Sequence, residues 1–178
     1  MLFDPSIYDN LKVAFENQLY DLDNLDARIT VTGRRDLLDM AVMSRAFAIR
    51  FVLREAPALE AELLLEASLA ELAAEIMELA EQKPGCRLSL RFHQQVPRDT
   101  ADDACARIHR ILADIWSPEL PPRQTLQFQY QDEQSAPVFA HTAELTFNRK
   151  IDEEQMEDIP DLLEHVLRTL AELDAARK

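Results

Sequence analysis

The sequence predicts an α+β chain in which about six strands form one or two antiparallel sheets, covered on one face by three longer helices. Apolar and polar residues alternate in several short runs, as in half-buried strands. Elsewhere apolar residues recur with helical spacing, and clusters of Pro, Gly, Asp and Asn separate the segments. The 178 residues, 47% apolar and 29% charged, can bury a core. One compact domain over residues 1–178 is expected, with possible halves 1–84 and 86–178 joined near Lys83-Pro84-Gly85.

From Leu11 to Leu22, Leu11, Val13, Phe15 and Leu19 fall on one side and Lys12, Glu16 and Gln18 on the other, which reads as a strand. The stretch Asp21–Asp26 reads as a turn, and Ile29 and Val31 as the returning strand of a hairpin. Gly33-Arg34-Arg35-Asp36 interrupts the pattern, with Asp36 as the cap of a short helix holding Leu37, Met40 and Ala41. A strand follows from Ala46, with Phe47, Ile49, Phe51 and Leu53 opposite Arg50 and Arg54.

Pro57 to Gln82 reads as a long helix: it has an early proline, strong helix formers, and a stop at Lys83-Pro84-Gly85. At about 1.5 Å per residue it would be about 39 Å long. Arg87 to Gln94 alternates Leu88, Leu90 and Phe92 against Arg87, Ser89, Arg91 and His93. Asp99 is the expected cap of a helix from Thr100 to Trp116, whose stripe includes Ala104, Cys105, Ile108 and Leu112. After a proline-rich connector, Leu126, Phe128 and Tyr130 alternate with glutamines. A hairpin through Asp132 to Pro137 leads to a return strand, Val138 to Phe147, with Phe139, Ala143, Leu145 and Phe147 on its apolar side. A last helix begins near Asp158 or Pro160 and uses Leu162, Leu163, Val166, Leu170 and Leu173.

Several chemistries are excluded by residue type. Only Gly33 and Gly85 exist, so no glycine-rich phosphate loop and no G-x-S-x-G elbow can be built. His93, His109, His141 and His165 lack metal-site spacing, and the strand registers place His93 and His141 on opposite sheet faces, so no metal is expected. Asp21, Asp23, Asn24 and Asp26 lack the glycine and distal Glu of a calcium loop and read as a hairpin turn. The acids from Asp152 to Asp158 read as capping of the last helix. Cys105 lies on an apolar stripe and Cys86, after a Pro-Gly turn, is expected to be exposed; neither has an adjacent base for thiol catalysis. No cofactor is expected.

The net charge of −14 opposes binding to nucleic acid or an anionic membrane. There is no basic leader, no apolar run of about 18 residues, and no cysteine framework, so a cytoplasmic location is expected. The arginines from Arg28 to Arg54 give a local excess of about +4, read either as compensation of the neighbouring acidic helix or as a site for an anion or an acidic partner.

The feature that favours a partner is the stripe Leu65, Leu69, Leu72, Ile76 and Leu79 on the long helix, beside a second stripe of Leu63, Ala67, Ala70, Ala74 and Met77. Both stripes can pack inside the chain, or one can form a homodimer or heteromeric contact. The expected function is non-enzymatic protein binding or assembly, with a homodimer as its form. The alternative is a small-molecule or anion-binding module, with or without catalysis, using Arg50, Arg54, Arg87, Arg91 and His93.

Overall fold

Ser6 opens a helix where alternation suggested a strand. In the computed structural model, which describes residues 6–79, 81–117, 120–130 and 138–177, the Asp9 amide donates to Ser6 Oγ at 3.2 Å and the Asp9 carboxylate turns back to the Ser6 backbone. This reciprocal cap starts α1 (Ile7–Asn24). Its buried residues are Tyr8, Leu11, Phe15 and Leu19, three or four apart, whereas Val13 is 47% exposed. The strand expected over residues 11–22 is therefore corrected, as is the hairpin turn expected at Asp21–Asp26, which falls on the end of α1 and the short link after it. Leu11, Val13 and Phe15 mimic a period of two, but Tyr8 and Leu19 complete a helical stripe that buries more.

The chain next forms a meander of β1 (Ile29–Asp39), β2 (Ser44–Leu53) and β3 (Ala56–Ala67). Strand β1 runs straight through the expected break: Gly33 to Asp36 pair with β2 after a bulge between Val31 and Gly33. Asp36 caps no helix. It accepts hydrogen bonds from Lys12 and Tyr8 of α1, so the short helix expected around Leu37, Met40 and Ala41 is replaced by the end of β1 and its turn.

The largest correction concerns residues 57–82. Leu59, Ala61, Leu63 and Leu65 are buried on one side of β3, with Glu60, Glu62, Leu64 and Glu66 on the other. Leu, Glu and Ala favour helices, yet the difference is only a few tenths of a kcal/mol per residue. Pairing with β2 and β4 on both sides, together with burial of the alternate residues, outweighs it. Ser68 then caps α2 (Leu69–Ile76) by accepting from the Glu71 amide.

The second half agrees more closely with expectation. It contains β4 (Arg87–Pro97), α3 (Ala101–Trp116), β5 (Arg123–Gln127), β6 (Val138–Thr146) and α4 (Ile159–Ala175). Asp99 is corrected: it sits in a 3-10 turn, Arg98–Thr100, and Thr100 takes the cap position with no side-chain bond. Phe128 and Tyr130 lie past the end of β5 and are exposed. The hairpin expected from Asp132 to Pro137 lies outside the described residues.

All six strands form one antiparallel sheet in the order β1-β2-β3-β4-β6-β5. Helices α1, α3 and α4 pack on one face, where Phe15, Phe47, Phe51, Phe92, Leu112 and Leu170 join a single core. Trp116, the only tryptophan, donates Nε1–H to Thr169 Oγ1 at 2.9 Å between α3 and α4. The sheet continues across the junction of the possible halves, because β3 pairs with β4.

At that junction Cys86 exchanges backbone hydrogen bonds with Ile151 at 2.7 and 2.9 Å. A Cβ on Gly85 would lie 2.8 Å from the Ile151 carbonyl oxygen, whereas one on Gly33 would meet nothing closer than 3.9 Å. Gly85→Ala is expected to cost about 1–3 kcal/mol and Gly33→Ala about 0.5 or less, measured by urea unfolding followed through Trp116. Equal costs would show that the close approach at Gly85 does not matter.

Candidate functional site

The face of the sheet opposite the helices carries a ladder of alternating charge. Gly33, Arg50, Glu62, Arg91, Glu144 and Arg123 stand opposite one another across the six strands. Opposite charges in such cross-strand positions stabilise the pairing. Glu62 is fully buried by its neighbours. Arg50 Nε approaches Oε2 at 2.5 Å, Arg91 Nη1 donates to Oε1 at 3.1 Å, and Arg35 lies 3.8 Å away. Arg91 also donates to Glu144, and Arg50 to Glu60, which accepts from Thr32 as well.

His93 completes the ring around Glu62. Its Nε2 lies 3.3 Å from Glu62 Oε2, a close contact without hydrogen-bond alignment, while Nδ1 meets Thr142 Oγ1 at 3.0 Å. The His93 ring is the largest influence on the Glu62 carboxyl, followed by Arg50 and Arg91. Together they outweigh the opposing effect of burial and hold the carboxyl down at about 2.

Three of the five anion-binding candidates, Arg50, Arg91 and His93, thus converge, and two do not. Arg54 donates to the Ile29 and Asp23 carbonyls and to the Asp23 carboxylate, tying α1 to β1. Arg87 stands opposite Glu66 at the other end of the sheet. The cations compensate acids as one of the two readings held, but those acids belong to α1, β3 and α4 rather than to a long helix: Arg28 binds Glu164, Arg34 binds Glu16 and Arg45 binds Asp9. Sequence reasoning missed Glu62 itself. The alternation of Leu59, Ala61, Leu63 and Leu65 was the signal that would have placed it on a strand beside Arg50.

Cys86 is buried, correcting the expected exposure, and burial, then Glu75 and Glu71, pushes its thiol up to about 12. Burial and Asp102 raise Cys105 as well. His141 lies on the helix side of the sheet, away from His93, and bonds Gln124 at 2.8 Å; burial, then His93, lowers its pKa. No group of three metal-binding side chains occurs among the described residues. Asp152 caps the 3-10 turn before α4, accepting from the Glu154 amide at 2.8 Å.

The five interface candidates separate. Leu65 is in the core and Leu72 is half-buried, while Leu69, Ile76 and Leu79 are exposed. The exposed ones share one end of the sheet with the β1–β2 hairpin. Arg45 pairs with Ala67, which leads directly into α2, and Met43, Ala67 and Leu72 line one groove. On the hairpin Met40 is 73% and Val42 60% exposed, on α2 Ile76 is 72% exposed, and Leu38, Met77 and Leu79 are exposed too.

Comparisons with protein-family models, curated proteins and solved structures give no match. Among the described residues no helix is long and apolar enough to cross a membrane.

Proposed function

We propose that the chain is a non-enzymatic protein-binding protein that docks its partner on the apolar end formed by the β1–β2 hairpin and α2. The observation that carries this reading is the concentration there of exposed Leu, Val, Ile and Met side chains from two separate elements. Patches of this kind mark contact surfaces, because leaving so much apolar area in water is unfavourable until something covers it. The polar sheet face supports the same reading from the other direction. Arg50 and Arg91 there are engaged with the carboxylates of Glu62 and Glu144 rather than free for an anion.

A photo-cross-linking residue placed at position 42 or 76 in the source cell tests the proposal. The same discrete protein adduct is expected from both positions and not from position 168, which is exposed on α4. Identical adduct patterns at all three would remove the apolar end as the docking surface.

A further inference from the structure

We propose that the bare face of the sheet, opposite α1, α3 and α4, is the contact surface for a second copy of this chain, related by a two-fold axis that runs along the strands between β3 and β4. This surface is distinct from the apolar end, and the inference goes beyond the docking role just stated. Its area is sufficient. Strands about 4.8 Å apart that rise about 3.3 Å per residue give the six paired strands a face of roughly 800–900 Å². A stable interface takes about 800 Å² from each partner.

Charge selects the occupant. On this face β3 presents Glu60, Glu62 and Glu66, and β4 presents His93, Arg91 and Arg87 directly opposite them. Arg50 of β2 and Glu144 of β6 flank the two columns, with Gly33 and Arg123 at the edges. Acids and bases balance over these positions, so the net charge of −14 lies elsewhere on the chain and two copies can meet here without repulsion.

Symmetry fixes how they meet, because a two-fold contact sets one patch against itself. An axis across the strands, or along β3 or β4, lays acid on acid or base on base. An axis along the strands between β3 and β4 lays Glu62 over Arg91, Glu66 over Arg87 and Arg50 over Glu144. The inner charges are already matched within one copy, but Glu66, Arg87 and Arg123 form no ion pair among the described residues. This axis gives each of them a partner. Glu66 and Arg87 meet across the interface, and Arg123 comes over Gly33, where Glu60 helps to line an open hollow of about 430 Å³.

A pair of charge reversals, read by analytical ultracentrifugation, tests the arrangement. The wild-type chain is expected to be a dimer at high micromolar concentration. Glu66→Arg alone sets base against base and Arg87→Glu alone sets acid against acid, so each should weaken the dimer at least about tenfold. Mixed in equal amounts, the two variants restore opposite charge at both crossings, and a heterodimer of near wild-type affinity is expected. Trp116 fluorescence checks that each variant folds. Should either fail to fold, Arg123→Glu on the edge strand serves instead and is expected to weaken the dimer several-fold. A wild-type monomer overturns the proposal, as does a dimer that the reversals leave intact or that the mixture does not restore. A dimer that Val42→Asp dissociates overturns it too, since the second copy then sits on the apolar end.

Discussion

Glu62→Gln is expected to lower the unfolding free energy at neutral pH by roughly 3 kcal/mol, a loss that disappears in acid. The ordinary carboxyl value of 4.5 falls to about 2 in the folded chain. As pH drops, the unfolded chain therefore takes up the proton first. The stabilisation from Glu62 is complete above about pH 5 and drains away between about pH 4.5 and 2. Urea unfolding of wild type and Glu62→Gln at several pH values, followed by Trp116 fluorescence, checks this. The two curves should converge near pH 2, and a gap independent of pH would mean that the carboxylate charge is not what the network needs.

Removing only the acid leaves Arg50 and Arg91 facing each other across β3 without their shared partner. A triple variant with Leu at 62 and Met at 50 and 91 is expected to recover much of the loss, because an uncompensated charge costs more than an absent one.

The second large effect distinguishes helix from strand at the start of the chain. Phe15→Ala should cost about 3–5 kcal/mol, since Phe15 is buried in the core. Val13→Ala should cost nothing, or stabilise by a few tenths of a kcal/mol, because Val13 is exposed on a helix where Ala is the better former. On a strand the two side chains would share a face and both changes would be costly. Urea unfolding of both variants decides between them.

The α+β class was legible from pattern alone, and so were β2, β4, β6, α3 and α4. In these segments periodicity and propensity agree: Phe47, Ile49 and Phe51 are bulky or β-branched residues in alternation, and α3 repeats its apolar residues over sixteen positions. The site was legible in part. Arg50 and Arg54 on one strand and Arg87, Arg91 and His93 on another were visible on polar strand faces, but Glu62, which joins three of them, was assigned to a helix.

Where period and propensity conflict, the chain by itself does not decide. Leu59 to Ala67 is composed of helix formers and also alternates, and Leu11 to Phe15 alternates within a helical stripe. Residues 1–178 therefore determined the apolar inventory, the acid excess and the poverty in glycine that rules out phosphate loops. Tertiary structure decided that residues 56–67 become the strand between β2 and β4, because only there do both backbone edges find partners and Leu59, Leu63 and Leu65 reach the core. That one placement buries Glu62 among cations and leads the chain into α2, whose Leu69 and Ile76 remain exposed.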